Sequence, residues 1–164
     1  MKIALTTDHA GMEVISSLRE YIQSLGHECE YYGPSELATD DDYPDYMFPA
    51  ARAVANGDCQ MGVLLGGSGQ GEAIAANRIA GVRCAVYYGS VKPVGSIDVS
   101  GSTATDEFEI LRLSRQHNDA NVLSLGARFL SLDDMKSAIS LWLATPFSGD
   151  ERHQRRISKL DSSV

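Results

Sequence analysis

Leu64-Leu65-Gly66-Gly67-Ser68-Gly69-Gln70-Gly71-Glu72-Ala73-Ile74-Ala75-Ala76-Asn77-Arg78 runs from an apolar segment through four glycines in six residues into helix-forming sequence. Met61 to Leu65 is apolar throughout, as a parallel strand covered on both faces requires. Strand, glycine loop and helix in that order form the repeating unit of an α/β domain. Working outward, Lys2 to Leu5 and Glu28 to Tyr32 read as strands. Between them Val14, Ile15, Leu18, Ile22 and Leu25 recur at helical spacing, and Gly26 supplies the stop. Pro44 and Gly57 bracket a helix through Tyr46 to Asn56, which puts Pro49 in or near its first turn. A helix over Gln70 to Ala80, closed by Gly81, leads to strands at Arg83 to Tyr87 and Ala120 to Leu125. Ser131-Leu132-Asp133-Asp134 is a capping box opening a helix through Leu143. The alternation predicts a single domain over residues 1–164, a three-layer α/β/α sandwich with about five parallel strands and right-handed crossovers.

Composition narrows the function. A chain of 164 residues, 43% hydrophobic, can bury one sizeable core. A net charge of −8 argues against nucleic acid or an anionic membrane as a main partner. Cys29, Cys59 and Cys84 are odd in number and widely spaced, which argues against a disulfide framework and a zinc site and fits a reducing cytoplasm. No signal-like leader and no run of ~20 apolar residues is present, so no membrane association is expected. Two regions break the α/β rhythm. Gly89 to Glu109 opens with a Gly-, Ser- and Thr-rich stretch that is either a long excursion or a small hairpin around Val94 to Val99. The tail from Gly149 to Leu160 gathers Arg152, His153, Arg155, Arg156 and Lys159 in an otherwise acidic chain.

In open α/β sheets ligands bind beyond the carboxyl ends of the strands, where Gly66 to Gly71 lies. Successive glycine amides and a helix N-terminus make an anion cradle, although a tight turn is the plainer use. A phosphate-binding P-loop would end in Gly-Lys-Ser or Gly-Lys-Thr, whereas this loop ends Gly71-Glu72. The spacing Gly67-Ser68-Gly69-Gln70-Gly71 also departs from the dinucleotide fingerprint, and no acidic residue closes the following strand. Glu72 beside a phosphate would repel it. The carboxylate makes better sense if the amides stabilise a transient oxyanion while Glu72 moves a proton, as an enediolate reaction needs.

Other candidates sit at loop positions. Asp8-His9 follows the first strand, Ser68 lies in the loop, and His117-Asn118 precedes the last strand, so three crossovers are expected to bring acid–base groups to one edge of the sheet. Asp8 could equally be a helix N-cap. Arg152 and Arg156, four apart, would share a helix face, and Arg128 follows the last strand. Guanidinium groups suit a phosphate dianion.

Together these segments resemble a known family. Thr7-Asp8-His9-Ala10-Gly11, Asp42-Tyr43-Pro44-Asp45-Tyr46, Gly66 to Glu72 with Ala75-Ala76-Asn77-Arg78, Arg115 to Asn121, and Arg152 to Arg156 are similar to the type B ribose-5-phosphate isomerases, a family that also holds allose- and galactose-6-phosphate isomerases. The resemblance runs in order from residue 2 to about 160, apart from 89–109. It implies a Rossmann-like fold, no cofactor or metal, and aldose–ketose isomerisation of a sugar phosphate through a cis-enediolate. Ribose 5-phosphate is the first choice, with allose, galactose or erythrose phosphates, or phosphosugar binding without turnover, as alternatives. It also implies a homodimer or dimer of dimers with the active site shared between subunits. Carried over, Asp8 and His9 contact the sugar or its phosphate and Tyr43 lines the site. Ser68 assists proton movement on the oxygens, and the amides of Gly67, Ser68, Gly69, Gln70 and Gly71 form the anion hole. His117 opens the furanose ring with Asn118 beside it, and Arg128, Arg152 and Arg156 grip the phosphate, part of the set coming from the neighbouring subunit. Many members place a cysteine base where this chain has Gly66; another branch, with Gly-Gly-Ser-Gly-Asn-Gly-Glu, resembles this sequence and implies Glu72 as the base.

Overall fold

A computed structural model describes residues 1–104 and 106–162. Five strands, β1 (Lys2–Thr7), β2 (Glu28–Tyr31), β3 (Met61–Gly66), β4 (Cys84–Tyr87) and β5 (Val122–Gly126), form one sheet. All its pairings are parallel, in the order β2-β1-β3-β5-β4. Six helices connect or follow them: α1 (Met12–Ser24), α2 (Pro44–Ala55), α3 (Gln70–Ala76), α4 (Glu109–Gln116), α5 (Leu132–Ala144) and α6 (Glu151–Asp161). β1, β3 and β5 are buried almost throughout because helices cover both faces, which is why they read as continuous apolar runs.

The core is double. Leu18 and Ile22 of α1, Leu111 of α4 and Met135, Ile139 and Trp142 of α5 pack with Ile3, Leu5, Val63 and Leu123 on one face. Met47, Ala50, Ala51 and Val54 of α2 and Ala75 and Ala76 of α3 pack with Ala4, Leu64 and Val122 on the other. This is the expected three-layer sandwich. The capping box holds as read: the Asp134 amide donates to Ser131 Oγ at 3.1 Å while the Asp134 carboxylate accepts from the Ser131 amide at 3.3 Å. No helix among the described residues is long and apolar enough to cross a membrane.

Three local readings change. α3 stops at Ala76 rather than Ala80, because Asn77 turns its side chain onto β4, donating to the Cys84 carbonyl at 3.0 Å and accepting from its amide at 2.7 Å. Pro49 lies inside α2, beyond the first turn, with Pro44 in the N-terminal position that needs no amide. The excursion forms no hairpin: among the described residues Tyr88 to Phe108 hold no strand, and the chain returns through a turn at Asp98 whose carboxylate accepts from Ser100 and Ser102. It then enters α4, an element that the sequence reading left unassigned.

Candidate active site

The strand order fixes where a ligand can sit. From β1 the chain crosses to β2 on one side, and from β3 it crosses towards β4 on the other, so the crevice between the carboxyl ends of β1 and β3 is the topological switch point. Asp8-His9 follows β1 there and Gly66 to Gly71 follows β3.

Gly69, at φ +76°, precedes the first residue of α3, a backbone geometry that a side chain would strain. Its carbonyl accepts from the buried Ser124 hydroxyl at 2.7 Å, which ties the loop to β5. Glu72 lies in the first turn of α3 and is only 5% exposed. Its carboxyl group folds back over Gly66, where a Cβ would stand 1.9 Å from the Glu72 Cδ and Oε1. A cysteine at position 66 and an inward carboxylate at 72 therefore compete for one space, which explains the glycine. Glu72 Oε2 is buried and has no hydrogen-bond partner among the described residues. Burial pushes the carboxyl above its ordinary value, with the Asp8 charge adding to the rise, while the Glu72 and Gly69 amides and His9 pull the other way.

Around it, Asp8 is buried and accepts from the Ala10 amide at 2.9 Å, so it is also the cap of the short turn His9–Gly11. His9 donates its amide to Asp41 Oδ2 at 3.0 Å and places Nδ1 2.6 Å from Asp41 Oδ1. Tyr43 packs against Gly71, its ring carbon 2.9 Å from where a Cβ would stand, and Arg128 lies over Gly67 in the same way at 3.3 Å. Ser68 Oγ accepts from the Gln70 amide at 3.3 Å. Asp8, His9 and Asp41 are the grouping among the described residues whose donor atoms lie within 4.8 Å of one another. Within that grouping His9 Nδ1 lies 2.6 Å from Asp41 Oδ1 and 3.9 Å from Asp8 Oδ2.

His117 and Asn118 are elsewhere. Gly62 pairs with Val122 and Gly66 with Gly126, so residues just before Val122 lie at the amino end of the sheet. The length of β5 separates them from Glu72 by about 13 Å of strand rise alone. The expectation that three crossovers reach one edge is corrected here, because a residue preceding a parallel strand must sit at the opposite end from one following it. At that amino end Asp119 adopts φ +43°, a costly conformation for a residue with a side chain, held by Arg115 at 2.8 Å and Arg83 at 3.1 Å. The same arginines bind the Ala120 and Asn118 carbonyls, and Asn121 bonds to Arg83 and Gly81. Half of the Arg115 to Asn121 segment is thus scaffold for the His117-Asn118 turn. His117 stacks on His153 of α6, ring centroids 4.2 Å apart. Burial, then the neighbouring His117 and Arg152, hold His153 below the ordinary imidazole value, so its Nε2 can accept from Arg152 Nε at 3.2 Å. Arg156 is exposed on the same helix.

The structure divides the candidates into two sets. Glu72, Ser68, Asp8, His9, Tyr43, Gly67, Gly69, Gln70, Gly71 and Arg128 share the crevice; His117, Asn118, Arg152 and Arg156 do not join them within one chain. Asp41 and His153 were missed. Asp41 is one of three consecutive aspartates, and nothing in the run shows which one turns inward.

The family model for ribose/galactose isomerase matches residues 3–92 and 98–160, leaving only a few residues of the excursion unmatched. The chain is 34% identical over 160 residues to ribose-5-phosphate isomerase B of Mycobacterium tuberculosis, covering 98% of this chain and 88% of that protein. Its fold is similar to the type B ribose 5-phosphate isomerase of Trypanosoma brucei, with TM-score 0.85, 34% identity and coverage of 99% and 98% of the two chains. It is also similar to ribose-5-phosphate isomerase B of Mycoplasma genitalium, solved with bound ribulose-5-phosphate, with TM-score 0.83, 30% identity and coverage of 99% and 95%.

Proposed function

The chain belongs to the ribose/galactose isomerase family, and on that premise we propose that it interconverts D-ribose 5-phosphate and D-ribulose 5-phosphate. The observation that carries the reading is the Glu72 carboxyl group, buried at the switch point over Gly66, with Oε2 unpartnered among the described residues. A buried polar atom without a partner is costly, and a substrate proton is what this one is placed to take.

In the open-chain aldose, Glu72 removes the proton on C2; the electron pair forms the C1–C2 double bond and the carbonyl oxygen on C1 becomes the enediolate oxygen. Returning the proton to C1 and moving the hydroxyl proton from the C2 oxygen to the C1 oxygen leaves the ketose, so no atom is gained or lost. Burial raises the basicity of Glu72, which suits a group that must both take and give a proton near neutral pH. Ser68 serves the oxygen protons, while the amides of Gly67 to Gly71 and the His9 imidazole face the developing negative charge. Asp8 orients the hydroxyls, Tyr43 walls the pocket, and Arg128 lies within reach of the phosphate.

Ring opening and the remaining phosphate contacts come from a second subunit. The separation of His117, Asn118, Arg152 and Arg156 from Glu72 supports this reading, since a two-fold interface that lays one subunit's amino-end set over the other's crevice completes two equivalent sites. The reaction needs no cofactor. Free cysteines fit a cytoplasmic setting.

The test is incubation with ribose 5-phosphate in deuterated water. Wild-type protein exchanges deuterium into C2, and Glu72→Gln loses both exchange and turnover by about 10²- to 10⁴-fold. Undiminished isomerisation in the mutant removes Glu72 as the base.

A further inference from the structure

Three aspartates precede Tyr43, and only the middle one turns inward. Asp40 and Asp42 are exposed, whereas the Asp41 side chain is 4% exposed. Burying a carboxylate is costly unless its oxygens are hydrogen-bonded, and both oxygens of Asp41 are satisfied by a single residue. Oδ2 accepts the His9 amide at 3.0 Å and Oδ1 lies 2.6 Å from His9 Nδ1. The second bond fixes the ring's rotation and requires a proton on Nδ1. His9 Nε2 then remains as the nitrogen without a partner among the described residues, on a side chain that is 26% exposed in the crevice.

We propose that Asp41 is a positioning residue for the isomerisation: it clamps His9 at two points so that the ring presents a protonated Nε2 to the oxyanion or phosphate of the bound sugar. The proposal rests on the isomerase reading above and adds to it a residue at the end of the β2–α2 connection, outside every segment that carried the family resemblance.

The electrostatics agree with the geometry. His9 is held above the ordinary imidazole value, chiefly by its hydrogen bond to Asp41, then by the charges of Asp8 and Asp41, against desolvation and Arg128. The groups that face it are therefore Asp8 from its own turn, Asp41 from the β2–α2 connection, Arg128 from the loop after β5, and Glu72 from α3, which His9 in turn holds down. Tyr46 of α2 feels the Asp41 charge from the far side. The signs follow. Neutralising Asp41 lowers the His9 pKa, so the protonated ring is lost at lower pH and the basic limb of kcat/KM moves down. The profile narrows from its basic side, which a loss of fold or of packing does not produce.

The experiment uses Asp41→Asn, which keeps the shape and removes the charge, with Asp41→Ala as the second variant. Imidazole nitrogen–proton NMR follows the four histidines of the chain through pH, with His9→Asn assigning the resonance. Expected are a downward shift of the His9 titration in both variants, a fall in kcat/KM for ribose 5-phosphate of about 10-fold at neutral pH, and the narrowed profile. Unchanged titration of His9 in both variants overturns the clamp, as does a uniform loss of activity with both limbs in place. The NMR arm needs no turnover, so a shift in the variants together with a wild-type protein that does not isomerise ribose 5-phosphate overturns the functional reading and removes the reaction that Asp41 would serve.

Discussion

At the carboxyl ends of β1 and β3 the charged groups are buried and held by the backbone, whereas at the amino end of β5 they sit on a turn and an exposed helix. Glu72 and Asp8 are each 5% exposed, and Gly66 leaves the space that Glu72 fills. His117 is half-buried against His153, and α6 buries only His153 among its described side chains, leaving Arg156 open. The first region is finished within one chain, and the second lies apart from it with its groups partly open. A preorganised base must lose its water in advance, and only the folded chain can exclude that water. On the proposed two-subunit reading, a partner surface would bury the amino-end groups.

Disturbing the finished half gives the largest effect. A methyl group at position 66 would stand inside the Glu72 carboxyl group, so Gly66→Ala evicts the base and lowers kcat by about 10²- to 10⁴-fold without unfolding the sheet. Adding Glu72→Gln to it costs little more, because both changes remove one interaction. Steady-state kinetics of the two single mutants and the double check this; additive losses would mean that Gly66 acts through something other than Glu72.

The division itself is tested by mixing. Glu72→Gln and His117→Ala proteins are each nearly inactive, but subunits exchanged between them restore roughly a quarter of wild-type activity, since half the dimers are mixed and each mixed dimer holds one complete site. No recovery after confirmed exchange places both residues in a site built by one subunit. The two arginines of α6 give the smallest effect: Arg152→Ala with Arg156→Ala raises KM for ribose 5-phosphate by about 10-fold or more, with kcat less affected if both bind the phosphate alike in ground and transition states. Unchanged kinetics would return the pair to solvated helix charges.

The halves were not equally legible. The crevice could be read because each signal is local: an apolar strand, glycines, then an acid in the first turn give Glu72 its place, and Asp8 follows β1 directly. Asp41 could not be read, since its neighbours in sequence are also aspartates and only the path of the 33–43 connection turns it towards His9. His117 was recognised as a chemical group but placed at the wrong end of the sheet. Its segment carries α4, which has only eight residues, and strand polarity decides the end only once β5 is known to run parallel to β3.

The sequence by itself determined the sandwich, the capping box of α5, the glycine loop and the identity of the acid behind it, because these follow from hydrophobic period and backbone preference over a few residues. The tertiary structure alone decided that Glu72 lies over Gly66, that Asp41 holds His9, and that His117 stacks on His153 away from them. Those depend on strand order and on which side chains long-range packing removes from water, and neither is encoded in any one stretch of chain.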